Sequence, residues 1–246
     1  MERKEYILMY EIEESHWWFK GKRKIVFSQL KPYMKGRKNL KILDIGCGTG
    51  VMMKNFQKYG DVTGIDMEMT ALDFCRQRGL KNIFQGDISD FPFKKDSFDI
   101  IGIFDVLYHK GVKNDLKVLK GIFRILKPGG ILVLTDSADM KLWSKHDIAT
   151  HARERYTTPK LSTRLKSAGF KINKISYFNT ILYPLVFAVR KLDNLSSRKG
   201  EVSTNLKKTN SFLNFILYQI FVFENNLMKM FDLPFGVSIF AIAKKI

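Results

Sequence analysis

The heptapeptide Asp44-Ile45-Gly46-Cys47-Gly48-Thr49-Gly50 limits what this chain can become more than any other feature. It follows an apolar run at residues 41–46 (KILDIG) that reads as a buried strand, and it opens a helical stretch. Glycines at alternate positions let the backbone turn sharply and pass close to a bound molecule, because no Cβ collides with the ligand. Dinucleotide loops space their glycines G-x-G-x-x-G and seat a pyrophosphate on the helix N-terminus. Here the spacing is G-x-G-x-G and an acid precedes it, which would repel a pyrophosphate and attract a cation. The loop therefore suits a ligand with a positively charged amino-acid end.

Further apolar runs follow at near-regular spacing, over residues 61–66, 82–87, 98–105 and 130–136, then 170–178 and 236–244. Between them lie amphipathic stretches. Residues 116–126 are one, closed by Lys127-Pro128-Gly129-Gly130, where proline cannot continue a helix and two glycines permit a reversal. Such alternation predicts a parallel sheet with helices on both faces. Two stretches interrupt it. Residues 138–159 precede a helix at 160–168, and residues 180–235 exceed any ordinary connection. Within the second, residues 195–209 are polar and basic, which predicts a mobile loop. Residues 212–223 (FLNFILYQIFVF) are nearly all apolar, too few to span a bilayer and suited to a buried or interfacial helix.

Three more acids fall where strands should end: Asp66, Asp87 and Asp105. Asp66 lies twenty residues after Gly46, the separation at which an acid takes the hydroxyls of a ribose. Asp87 is placed to accept from an exocyclic amine. Carboxyl ends of parallel strands converge on one crevice, so the acids would ring a single pocket.

Loop and acids together resemble the class I S-adenosylmethionine-dependent methyltransferases, from about residue 40 to 137 and again in the last two strands. Leu126-Lys127-Pro128-Gly129-Gly130 and Gly236-Val237-Ser238-Ile239-Phe240 are similar to that family as well. The resemblance implies S-adenosylmethionine as cofactor and S-adenosylhomocysteine as product. It also implies an α/β, Rossmann-like fold: a seven-stranded, mostly parallel sheet of order 3-2-1-4-5-7-6, the last strand antiparallel, with helices on both faces and a helical lid. By position, Asp44, Gly46, Cys47, Gly48 and Gly50 would hold the methionine end, Asp66 the ribose and Asp87 the adenine. Met67 and Ile88 would sandwich the adenine ring, and Phe104 and Asp105 would lie along the cofactor.

The substrate side is read from three places. Asp105-Val106-Leu107-Tyr108-His109 occupies the family's fourth motif, without the Pro-Pro and aromatic that base-modifying enzymes carry there. That weakens a nucleic-acid reading and leaves Tyr108 as a substrate contact and His109 as a base or a packing residue. Residues 143–156, if helical, place Asp147, His151 and Arg155 on one face, with His146 turned about 100° away. The run is similar to a subgroup of small-molecule methyltransferases and implies a general base, His146 or His151, an anion clamp at Arg155 and a substrate contact at Tyr156. Its rival is an ordinary amphipathic surface helix, and no metal site is expected. At the N-terminus, Trp17, Trp18 and Phe19 would exclude water from the methyl group or anchor a helix on the core, and Arg23 would meet a carboxylate or phosphate.

Composition narrows the rest. The chain has 246 residues and a net charge of +18, of which residues 42–137 contribute +1 and residues 138–246 contribute +11. Basic flanks favour anionic partners. Two cysteines, Cys47 and Cys75, exclude a disulfide-stapled or zinc-ribbon protein and suit a reducing cytoplasm. The first thirty residues lack the order of a signal peptide. The expected architecture is a lid at 1–39 and a methyltransferase domain at 40–246, whose insertions 138–160 and 180–235 form a substrate cap. The expected reaction is in-line methyl transfer to oxygen or nitrogen of a small metabolite or a lipid- or nucleotide-linked sugar, by a monomer or homodimer. An anionic, lipid-linked substrate would suit contact with acidic membrane from the cytoplasmic side. An RNA-modifying methyltransferase and a non-catalytic cofactor-binding module are the rivals.

Overall fold

The structure, a computed structural model, describes residues 3–88, 91–195 and 208–246. Strands β1 (Leu40–Ile45), β2 (Gly60–Asp66), β3 (Ile83–Gln85), β4 (Phe98–Phe104), β5 (Leu126–Ser137), β6 (Lys171–Phe178) and β7 (Ser238–Lys244) form one sheet. Their order is β3-β2-β1-β4-β5-β7-β6, with β7 antiparallel to both β5 and β6 and the other pairings parallel, as expected.

Residue alternation along the central strands sorts side chains into two cores. Ile42, Ile100, Ile131, Val133, Phe240 and Ile242 face one side, and their neighbours Leu43, Ile101, Leu132, Leu134, Ile239 and Ala241 face the other. The first side is covered by α2 (Trp17–Met34), α3 (Val51–Phe56), α4 (Met69–Gln77) and α9 (Ser211–Met230). The second is covered by α5 (Asp115–Ile125) and α7 (Thr158–Ser167). Each fully buried aliphatic side chain contributes about 1.5–3 kcal/mol by leaving water. In α5 the cap is Asn114, whose side chain accepts from Lys117 N at 2.9 Å, and Val118, Leu119, Ile122 and Ile125 make the buried stripe.

Short helices complete the chain: α1 (Arg3–Ile12), α6 (Lys145–Ala149) and α8 (Tyr183–Leu195). Gly21 lets α2 lie flush on α9, because a Cβ there would collide with the ring of Phe221.

Several expectations need correction. The apolar run 212–223 is helical as expected, but the helix is longer: α9 has 20 residues and extends to Met230, with Glu224, Asn225 and Met228 continuing its buried face. Residues 143–156 are not one helix. Ser144 and Asp147 close a capping box at the start of α6, and after Ala149 the chain turns, with His151 at φ 53°. Lys127-Pro128-Gly129-Gly130 belongs to β5, where Leu126 pairs with Phe98 before a register shift. Strand β3 is only three residues long. Most of the loop expected at 195–209 lies outside the described residues.

Candidate active site

At the carboxyl ends of β1, β2 and β4 lies a cavity of about 760 Å³. The loop after β1 forms one wall. Gly46 and Gly48 take φ of 67° and 54°, and a side chain at Gly46 would strike Val106. Asp66 anchors this loop: Oδ2 accepts from Gly48 N at 2.9 Å and Oδ1 from Glu68 N at 3.0 Å. Asp44, Gly46, Cys47, Gly48, Asp66 and Met67 all line the cavity, as do Asp87, Ile88, Phe104 and Asp105. Gly50 does not. It starts α3 at φ 86° and faces Leu80 and Cys75, so it serves helix packing instead.

Asp44 is the electrostatic centre. Both its carboxylate oxygens are buried and have no hydrogen-bond partner among the described residues. Burial, reinforced by the charge of Asp66, pushes its pKa up to about 8. Asp66 is also raised by burial, against the pull of its backbone donors. Asp105 adopts φ 56°, and its Oδ2 receives Lys22 Nζ at 2.5 Å. The wall is thus acidic, with one ammonium from α2 set against it.

The N-terminal helices roof this wall. Tyr6, Met9 and Glu13 line the cavity, and sequence reasoning missed all three. Glu13 is buried and shares a short hydrogen bond with the Thr49 hydroxyl. Arg78 joins roof to loop: Nε donates to Thr49 O at 2.7 Å, and the guanidinium reaches Glu13 and Glu14 at 2.6 Å each. It also lies 4.4 Å over the ring of Tyr10. Lys22 was missed too, although Trp18, Lys22, Ile25, Val26 and Gln29 follow the helical period of an inward face. Arg23 lines the cavity but is committed to the α1–α2 turn, donating to Glu13 O at 2.5 Å and Glu14 O at 3.0 Å.

Trp17 and Trp18 anchor α2 on the core, one of the two roles weighed for them. They line the cavity, and their rings pack against Phe221 at 5.5 and 5.6 Å between centroids. His16 caps α2, accepting from Trp18 N at 3.3 Å, and its Nε2 lies 3.1 Å from the Thr209 hydroxyl.

The opposite wall carries the other histidines. His146 and His109 line the cavity; His151 does not, and its ring stands 5.9 Å from that of His109. Gly111 N donates to His109 Nδ1 at 3.0 Å, so the neutral ring keeps its proton on Nε2 and has no lone pair to offer a substrate. Burial also lowers its pKa. Asp147 does not orient His151. Its Oδ1 takes Arg155 Nε at 2.7 Å and its Oδ2 takes Ser144 N at 2.9 Å.

Arg155 also donates to Ala138 O at 2.7 Å, so the expected anion clamp is held as a buried brace along the cavity wall. Arg190 from α8 joins it at 3.4 Å from Asp147 and donates to Leu142 O at 2.7 Å. Burial, with the charge of Arg155, lowers its pKa to about 10. Tyr108 lines the cavity, whereas Tyr156 is a core residue whose hydroxyl meets Asp115 Oδ2 at 3.0 Å. Asn179 (φ 58°) also lines the cavity, with a buried Oδ1 that has no partner among the described residues.

Residues 43–134 match the family described as a methyltransferase domain. A demethylmenaquinone methyltransferase of Staphylococcus aureus (strain MRSA252) is 34% identical over 114 residues, which are 43% of this chain and 46% of that protein. The chain thus spans less than half the length of the curated relatives it matches. Among solved structures, an S-adenosylmethionine-dependent methyltransferase from Mesorhizobium loti aligns with a TM-score of 0.59 at 16% identity, covering 89% of this chain and 97% of that one. Another from Archaeoglobus fulgidus gives 0.57 at 18% identity, covering 91% and 94%. These two likenesses concern the fold. Over residues 43–134 the chain is thus similar to a methyltransferase domain, and its seven-stranded sheet has the Rossmann-like methyltransferase fold.

Proposed function

We propose that this protein transfers a methyl group from S-adenosylmethionine, in line, to an oxygen or nitrogen of a small acceptor. The acceptor classes that fit are a metabolite and a lipid- or nucleotide-linked sugar. One observation carries the reading: Asp44 buries two carboxylate oxygens with no partner among the described residues, beside Gly46 and Gly48, which line the same cavity. A buried acid in that state is stabilised by an incoming cation, and the amino-acid end of the cofactor brings one. When bound, the cofactor supplies a methyl group already activated by its sulfonium.

The protein's own tasks are then to orient, to dry the site and to move a proton. Asp66 and Asp87 bind at the ribose and adenine ends, and Met67 and Ile88 offer apolar surfaces to the ring. Lys22 is a counter-charge for a carboxylate. Residues 1–39, 138–160 and 180–235 act as lid and cap, with Trp17, Trp18 and Phe19 excluding water from the transferred group. His146 is the general base of choice, because it lines the cavity and His109 is tied by its Nδ1.

The test is labelled-methyl transfer into a cell extract fractionated into lipid, sugar-nucleotide and RNA pools. Label in a small-molecule or lipid fraction supports the reading. Label confined to RNA, with binding that falls steeply as salt rises, replaces it by the RNA-modifying alternative. Cofactor binding with no label anywhere leaves a binding module.

A further inference from the structure

Helix α9 is apolar on two opposite faces. Projected at 3.6 residues per turn, Phe212, Ile216, Phe223 and Met230 fall within an arc of about 40°. The buried residues Phe221, Glu224, Asn225 and Met228 fall on the other side, against α2 and the core. The outer row is open, with Phe212 75% and Met230 80% exposed. Helix α8 repeats the pattern with Leu185, Val189 and Leu192, of which Leu192 is 67% exposed. Monomeric surfaces rarely leave contiguous large apolar side chains in water.

Two observations say what covers these rows. First, they are continuous with the site: Leu185 and Val189 are exposed and also line the cavity, and so does Thr209, three residues before Phe212. A second copy of the chain seated on α8 would cover the cavity wall that those side chains form, and it would bring two molecules of charge +18 together. Second, the charge suits an anionic surface. Lys191 and Lys229 are exposed on the two helices, Lys208 beside them is exposed and pairs with Glu11 at 3.0 Å, and residues 138–246 as a whole are net +11. An RNA backbone would match the charge but not the phenylalanines. Among the described residues no helix is long and apolar enough to cross a membrane, so α9 would lie along a bilayer and not through it.

We infer that the outer faces of α8 and α9 dock the protein on an anionic lipid surface, with the cavity mouth at the lipid boundary. The docking stands on the exposed rows and the charge; only the corollary, that an amphiphilic acceptor enters from the lipid, rests on the proposed methyltransferase function. Apolar side chains supply the depth of contact and lysines supply the preference for acidic headgroups.

The experiment is co-sedimentation of the full chain with vesicles of phosphatidylcholine alone or with about a third phosphatidylglycerol. Wild type should pellet with the acidic vesicles and remain mostly soluble with the neutral ones. The double variant Phe212→Ser/Phe215→Ser, in which both positions are exposed and neither lines the cavity, should lose at least tenfold in vesicle affinity. Its melting temperature and its S-adenosylhomocysteine affinity should not change. Wild type that stays soluble with acidic vesicles, or a variant that pellets like wild type, overturns the inference. So does a wild-type dimer in solution that the substitutions dissociate, since that assigns the face to self-association. Absent vesicle binding with intact cofactor binding removes only the docking. Intact vesicle binding with no methyl transfer removes only the proposed function.

Discussion

Lys22 Nζ stands 2.5 Å from Asp105 Oδ2, joining the N-terminal helix α2 to the end of β4 across 83 residues of sequence. This ammonium sits against a wall made otherwise of acids, Asp44, Asp66 and Asp105. Asp105 itself adopts a left-handed conformation (φ 56°), and its Oδ1 also accepts from the Thr135 hydroxyl at 3.2 Å. Under the proposed function, Lys22 would also offer a positive group to a zwitterionic ligand whose cationic end is drawn to Asp44.

Lys22→Ala should therefore weaken S-adenosylhomocysteine binding by about 10–100-fold, the worth of one charge-assisted hydrogen bond. 5′-Methylthioadenosine, which lacks the amino-acid end, should bind wild type and variant alike. Titration calorimetry with both ligands checks this. Equal losses for the two would assign Lys22 to folding the roof.

Asp44 gives a prediction on pH and stability. Its folded pKa of about 8 lies above the ordinary carboxylate value of 3.8. The folded state therefore holds a proton that the unfolded chain has lost, and burial of this acid costs stability increasingly from about pH 4 to pH 8. Asp44→Asn removes that cost. In the ligand-free protein it should raise the melting temperature at pH 8 by about 2–4 °C for each kcal/mol recovered, and change it little at pH 4. The same variant should lose cofactor binding. A lower melting temperature at pH 8 would show that the carboxylate has a partner in the free protein.

The histidines separate by position. His146→Ala should leave cofactor affinity intact and lower kcat by about 10²–10⁴ for an acceptor that must lose a proton. His109→Ala and His151→Ala should cost much less, because the first is tied by Gly111 N and the second lies off the cavity. Steady-state rates across pH 6 to 9 read this out. A full kcat in His146→Ala would move the base elsewhere.

Gly21→Val tests the seam between α2 and α9. The added carbons would meet the Phe221 ring, and overpacking of this kind costs about 1–3 kcal/mol. Thermal unfolding should shift down by about 2–10 °C. The glycine loop is untouched, so cofactor affinity should fall only as far as the roof over Thr49 is displaced.

Much of this was legible locally. The strand alternation, the G-x-G-x-G spacing and the acids at Asp44, Asp66, Asp87 and Asp105 depend on short-range rules: pleat period, glycine dihedrals and the convergence of parallel strand ends. They led to a parallel α/β sheet and to one common cavity, while the strand order came from the resemblance to the methyltransferase family. The run Asp147, His151, Arg155 misled, because helical spacing was assumed where a capping box and a buried ion pair end α6 after five residues.

Sequence alone determined the strand segments, the glycine loop and the acids at the strand ends, since each is encoded within a few consecutive residues. Tertiary structure decided which distant side chains complete them. Lys22 finds Asp105, Arg78 ties Glu13 to Thr49, and Arg190 shares Asp147 with Arg155. It also decided that α9 keeps an apolar face in water. Such pairings depend on how whole helices cross, and no local pattern of hydropathy or spacing records a crossing.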